Sequence, residues 1–253
     1  MALTVEKSDR IARVTLDRPP VNAITLDIYA EIGDVFESAA EWDDVNCIVF
    51  TGAGSRAFCA GLDLHEFLAA TVDEDPKRAA VIRRTFTAVR TAAVPVIAAV
   101  NGPALGAGCV LASLCDIRIA AENATFGLPE INVGRCGGAA HLGRLIPQGA
   151  LRRMFFTGKP IDAAEAYRIG LVDEVVPLDG LMAAADRLAG VIAAKAPLGL
   201  RLGKQAINEV EYMAVDDGYA REQQYSTRLM ATEDAREATR AVVEKRPPVF
   251  QGR

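Results

Sequence analysis

Val96-Ile97-Ala98-Ala99-Val100-Asn101-Gly102-Pro103-Ala104-Leu105-Gly106-Ala107-Gly108-Cys109 is the stretch that decides how this chain folds. Its first five residues are an unbroken apolar run bounded by turn residues, the mark of a strand buried on both faces. Asn101 to Gly106 form a glycine-rich turn, and a short apolar helix follows over about 107–114. The same alternation recurs to either side. Cys47 to Thr51 reads as a short strand ended by Gly52, a helical stretch spans about 77–92, and Ile117-Arg118-Ile119-Ala120 is a further strand. Upstream, residues 3–7 and 11–16 flank Ser8-Asp9-Arg10 as an opening hairpin, closed by Arg18-Pro19-Pro20. Leu26, Tyr29, Ile32, Val35, Phe36 and Ala39 then recur at helical spacing behind Thr25 as a cap, which predicts a helix within 25–42. Strands alternating with helices imply parallel pairing in an α/β architecture. After Pro177 residues 178–246 read as helical almost throughout, so we divide the chain into a core over 1–195 and a helical C-terminal part over 196–253.

A chain of 253 residues, 51% of them hydrophobic, buries a large core without needing disulfides or a metal. Its net charge of −5, with the positive residues dispersed, argues against a nucleic-acid partner. The five cysteines, Cys47, Cys59, Cys109, Cys115 and Cys136, form no C-x-x-C pair and mostly sit in apolar stretches, which points to a reducing compartment. The N-terminus lacks a basic segment followed by an apolar run, and no stretch reaches the length of a membrane span. A cytoplasmic protein with no membrane segment is the expectation.

Two glycine-rich turns carry candidate chemistry. Gly52-Ala53-Gly54-Ser55-Arg56-Ala57 follows a strand and matches the G-x-G-x-x-G/A pattern of dinucleotide folds, but further loop residues through Gly61 delay any helix that the pattern requires to start at once. The Asn101–Cys109 turn fits better as a ligand site, because its small residues let backbone approach a ligand and its amides at a helix start are unpaired donors. Taken alone it reads sooner as a tight strand-to-helix turn needed only for packing. Ala57-Phe58-Cys59-Ala60-Gly61-Leu62-Asp63-Leu64 places a second small-residue turn before another helix, so two turns from separate strands can offer one amide each.

Phe58-Cys59-Ala60-Gly61-Leu62-Asp63-Leu64, Asn101 to Cys109, Cys115-Asp116-Ile117-Arg118-Ile119-Ala120 and Phe126-Gly127-Leu128-Pro129-Glu130 resemble segments of the crotonase superfamily, the enoyl-CoA hydratase/isomerase family, in that family's order. Arg18-Pro19-Pro20-Val21-Asn22-Ala23, Thr157-Gly158-Lys159-Pro160-Ile161 through Asp173, and Glu244-Lys245-Arg246 extend the likeness almost end to end. The resemblance implies a spiral of repeated β-β-α units with C-terminal helices that join subunits into trimers, often paired as hexamers. It also implies an acyl-CoA substrate and no separate cofactor, coenzyme A being part of the substrate.

Residue by residue, the resemblance assigns an oxyanion hole to the backbone N–H groups of Leu62 and Ala107. Ala107 stands where the family usually has glycine, so its backbone is expected to manage without glycine's freedom. Coenzyme A is expected along Asn22, Ala23, Ala60, Asp63 and Leu64, with His65 where a lysine often meets the phosphates. Glu130 matches the acid/base glutamate; without the likeness it reads as a solvated loop residue, whereas its apolar neighbours predict a raised pKa. Val110 departs from the family's hydratases, which carry a second glutamate there, and valine can neither bind nor activate water. Gly138 lacks the aspartate of the family's dienoyl-CoA isomerases and aryl-CoA dehalogenases; both positions are expected at the acyl pocket. His141 and Cys136 lie nearby, and Asp116 is expected to orient backbone beside its strand. An enzyme moving protons at an enoyl-CoA double bond through Glu130 alone is the leading expectation; a non-catalytic acyl-CoA binder and a different reaction on a β-oxo thioester are the alternatives.

Overall fold

The computed structural model describes residues 1–253. Strands β1 (Leu3–Ser8) and β2 (Ile11–Leu16) form the antiparallel hairpin read from the sequence, with Asp9 and Arg10 both at positive φ in the two-residue turn. From β2 onward the large sheet is parallel. β3 (Cys47–Gly52), β4 (Val96–Val100), β6 (Ile117–Ala121) and β9 (Glu174–Val176) add in sequence order, giving β1-β2-β3-β4-β6-β9, and a small sheet forms from β5 (Ala104–Leu105), β7 (Thr125–Gly127) and β8 (Ile161–Asp162). The mixed α/β fold is built as successive turns of a spiral. Each turn contributes one strand to the large sheet, then a short extended piece, then a helix.

The two faces of the large sheet differ in what covers them. On β3, Ile48 and Phe50 enter the main core, while Cys47 and Val49 enter a smaller cluster on the opposite face. Period-two side-chain alternation produces this split, and because both faces are apolar it leaves no alternation in the sequence. Helices α1 (Leu26–Ser38), capped by the Thr25 hydroxyl, and α3 (Asp75–Arg90) pack together on the main-core side. There Phe36, Phe50 and Phe58 stack edge to face with centroids 5.4 Å apart. The other face receives α8 (Leu181–Ala193), whose Leu181, Ala184, Ala185 and Ala189 follow helical spacing.

Helices α9 (Pro197–Val210), α10 (Val215–Met230) and α11 (Glu233–Glu244) complete the chain. α9 is anchored to the sheet. Buried Lys204 donates to Val94 O at 3.1 Å and to Asp116 at 2.7 Å, and Asp116 also accepts the Val96 N–H at 2.7 Å, the backbone-orienting role expected of it. α10 and α11 instead leave Tyr219, Met230, Val242 and Val243 exposed.

Candidate active site

Four helices of the spiral bear on the site: α1, α3, α2 (Leu64–Ala69) and α4 (Ala107–Leu114). The two glycine-rich turns meet because their backbones pair. Phe58 and Cys59 both donate N–H bonds to Pro103 O at 3.1 and 3.2 Å, and Leu105 N–H returns one to Cys59 O at 3.0 Å. The Gly52–Ala57 loop, which resembled a dinucleotide motif, opens no helix. Instead Asn22 donates to Ala53 O and Ala57 O, while Asn101 donates to Gly52 O and Gly54 O, so two buried amides pin it.

Gly61 sits at φ +95°, and a methyl group on it would lie 2.7 Å from Leu105 O and 3.5 Å from Ala107 N. The bends therefore face each other at close range. At Gly106 (φ +54°) a methyl would stand 3.1 Å from Glu130 Oε1 and 3.9 Å from the Gly61 Cα. The positive φ belongs to Gly106, and Ala107 is an ordinary first helical residue whose N–H has no intrahelical acceptor. The expected burden on Ala107 is thus borne by its neighbour. The Leu62 N–H meets no carbonyl of the chain, because the Ile24 pairing on which it lies uses Gly61 O and Asp63 N instead.

Glu130 arrives from a third turn of the spiral. Gly106 N–H donates to Gly127 O at 2.9 Å, which holds the end of β7 against the turn, and Pro129–Val133 then forms a single 3₁₀ segment carrying the glutamate inward. The carboxyl is half-buried, and its Oε2 is sealed from solvent with no hydrogen-bond partner. Burial raises its pKa above the ordinary glutamate value of 4.5, opposed only by its own backbone N–H. In the folded chain the carboxyl therefore holds its proton at pH values where the unfolded chain has lost it. Wild-type stability is expected to fall as pH rises from 4.5 through the raised value, and Glu130→Gln is expected to be the more stable protein above that window but not below 4.5. Urea midpoints of both proteins on either side of the window check this.

These groups line one cleft of about 960 Å³. Of the residues assigned from sequence, Ala23, Ala60, Leu62, Asp63, Leu64, Ala107, Val110, Glu130 and Gly138 all line it. Asn22 does not. Its side chain is buried beneath the loops and clamps them, the amide donating to carbonyls and the oxygen accepting the Arg18 N–H. Asp63 caps α2 and pairs with Arg18 at 2.7 Å; the Glu66 N–H first, then the Arg18 guanidinium, holds its carboxyl below the usual range. His65, exposed on α2, lines the cleft as well.

Val110 is buried against Gly138, and a methyl on Gly138 would lie 2.7 Å from Val110 Cγ2 and 2.8 Å from Leu128 Cδ2. Positive φ and crowding together leave no room there for an aspartate. His141 also lines the cleft, edge-on to Phe86 at 5.4 Å, and burial lowers its pKa, assisted by Arg144 and Arg90, so it is neutral at neutral pH. Cys136 is a lining residue without an activating partner. Tyr29, Arg78 and Phe86 complete the wall and were not singled out from sequence, because on a helix their spacing marks only a core-facing side. No cluster of three or more His, Cys, Asp or Glu is placed to hold a metal ion. The arrangement can place two amide donors and one proton carrier around a single carbonyl group.

Residues 6–253 match the family model described as enoyl-CoA hydratase/isomerase. The chain is 39% identical over 246 residues to a short-chain-enoyl-CoA hydratase of Clostridium acetobutylicum, covering 96% of this chain and 94% of that one. It is 40% identical over 240 residues to the (7aS)-7a-methyl-1,5-dioxo-2,3,5,6,7,7a-hexahydro-1H-indene-carboxyl-CoA hydrolase of Mycobacterium tuberculosis, covering 93% and 95%. A solved enoyl-CoA hydratase from Bacillus anthracis superposes over 100% of both chains with a TM-score of 0.96 at 34% identity.

Proposed function

Since the chain belongs to the enoyl-CoA hydratase/isomerase family and is an enzyme of it, we propose that it acts on the double bond of an enoyl-CoA thioester through an enolate held by the Leu62 and Ala107 N–H groups, with Glu130 as the single acid/base. The observation that carries this reading is the approach of Glu130 Oε1 to the Gly106 turn, beside the facing Gly61 turn. As charge moves onto the thioester oxygen, preorganised amides in a dry site stabilise it by roughly 3–4 kcal/mol each. Glu130, whose pKa burial raises above the ordinary glutamate value, takes a proton from one carbon or from water and returns it to the adjacent carbon. Val110 removes the second carboxylate, so every proton passes through Glu130.

Purified protein offered 2-enoyl-CoA and 3-enoyl-CoA separately is the test, read by the conjugated enoyl-thioester absorbance. Loss of absorbance from the first is expected for hydration, and a rise from the second for isomerisation. Absence of both rejects the proposal. Hydrolytic C–C cleavage of a β-oxo thioester is the second reading, supported by the name of the 40% identical mycobacterial relative and by the same enolate geometry. A third substrate, a cyclic β-oxo-acyl-CoA, distinguishes it.

The helical region over 196–253 supports assembly into trimers or paired trimers, because Ile207, Tyr219, Met230 and Val242 leave apolar surface uncovered. Light scattering on the purified protein reads the subunit number. No helix is long and apolar enough to cross a membrane. Unpaired Cys47, Cys59, Cys109 and Cys115, all buried, support a reducing, cytoplasmic setting.

A further inference from the structure

Val110 leaves a chemical gap. Water adding to the β-carbon of an enoyl thioester needs a second anchor besides the group that takes its proton, and the valine offers neither donor nor acceptor. Among the residues that line the cleft, one buried side chain has a free polar atom aimed into it. Tyr29 is 3% exposed, its Oη bonds no group of the chain, and that oxygen is not among the polar atoms sealed from solvent, so the small exposure it keeps lies in the cleft it lines. A buried tyrosine hydroxyl without a protein partner is unusual, because the polar tip is normally satisfied.

The fold also places Tyr29 beside the reacting groups. Ile24 pairs with the Leu62 turn, Thr25 caps α1 directly after it, and Tyr29 N–H donates to Thr25 O, putting the tyrosine one helical turn, about 6 Å along the axis, from that junction. Its ring is held edge-on by Phe86 at 5.9 Å, and its own carbonyl accepts the Thr85 hydroxyl at 2.6 Å. Burial first, then the neighbouring Cys59 and Glu130, disfavours the phenolate, so the hydroxyl stays protonated and serves as a donor.

We propose that Tyr29 Oη is the hydrogen-bond donor to the oxygen on the β-carbon of the substrate, the attacking water in hydration and the 3-hydroxyl in dehydration. The assignment rests on the enolate reading above and names the class of substrate, a 2-enoyl or 3-hydroxyacyl thioester. In the dehydrating direction Glu130 removes a Cα proton, the electron pair of that C–H bond passes into the thioester enolate, and its return forms the Cα–Cβ double bond as the Cβ–O bond breaks. The departing hydroxide takes the proton back from Glu130 and leaves as water. Tyr29 keeps its own proton throughout and stabilises the oxygen while it gathers charge; hydration is the same path reversed.

Tyr29→Phe tests this without disturbing packing, since the hydroxyl has no protein partner. Two reactions are followed: hydration of 2-butenoyl-CoA, and exchange of the Cα hydrogens of butanoyl-CoA with deuterated water, which has no β-oxygen. Hydration is expected to slow about tenfold or more, while exchange stays within about twofold. Unchanged hydration, or equal loss of both reactions, overturns the assignment. A wild-type protein that exchanges Cα hydrogen without adding water also overturns it but leaves the enolate reading standing. Exchange that survives Glu130→Gln sinks that reading instead.

Discussion

Glu130→Gln is expected to lower kcat for the enoyl thioester by about 10²–10⁴ while the protein folds and binds substrate as before. Glutamine matches the shape of the acid but neither accepts nor delivers a proton at neutral pH. No second carboxylate stands at the two neighbouring positions: Val110 is apolar and Gly138 has no side chain. Because Oε2 has no hydrogen bond to lose, the substitution leaves no protein partner stranded, and thermal melts should show a fold at least as stable as the wild type at neutral pH. KM is expected to change little, since the amide donors of Leu62 and Ala107 are untouched. Turnover within threefold of wild type removes Glu130 from the chemistry.

Gly108→Ala is expected to cost both activity and stability, because Gly108 is where the two turns are pressed together. A methyl there would overlap the Cys59 carbonyl and lie 2.8 Å from Cys59 Cβ. That carbonyl accepts the Leu105 N–H, so relief of the overlap stretches the pairing that brings Leu62 and Ala107 to the same side. Overpacking of this kind costs about 1–3 kcal/mol, and displacing one oxyanion donor costs about 10²–10³ in kcat. Denaturant midpoints and steady-state kinetics measure the two losses together. Gly203→Ala is the control: the glycine is inside α9 with open space around its Cα, and alanine there is expected to add about 0.5–1 kcal/mol with no change in rate. Equal activity in Gly108→Ala and Gly203→Ala removes the coupling between the turns.

Much of this was legible in the residues. The hairpin at Asp9-Arg10, the apolar runs of β3 and β4, the Thr25 cap and the helical character after Pro177 are local signals, since turn chemistry, capping and periodicity depend on neighbours in the chain. The family resemblance assigned Leu62, Ala107 and Glu130, and the same residues line one cleft. The small sheet escaped notice because strands of two or three residues carry no period of their own; β5, β7 and β8 exist because spiral turns stack them.

Tertiary structure alone decided which groups are free. In the sequence Asn22 belongs to a candidate site and Tyr29 only to the core-facing side of a helix, yet three loop carbonyls take up the Asn22 amide while the Tyr29 hydroxyl keeps its capacity for a ligand. Likewise Ala107 was expected to manage without glycine's freedom, and the structure shows how: the positive φ belongs to Gly106. Composition and spacing determine where strands, helices and turns form, because those energies are summed over a few neighbouring residues. Whether a donor is spent or available depends on partners dozens of residues away, and only the packed spiral brings those partners within hydrogen-bond reach.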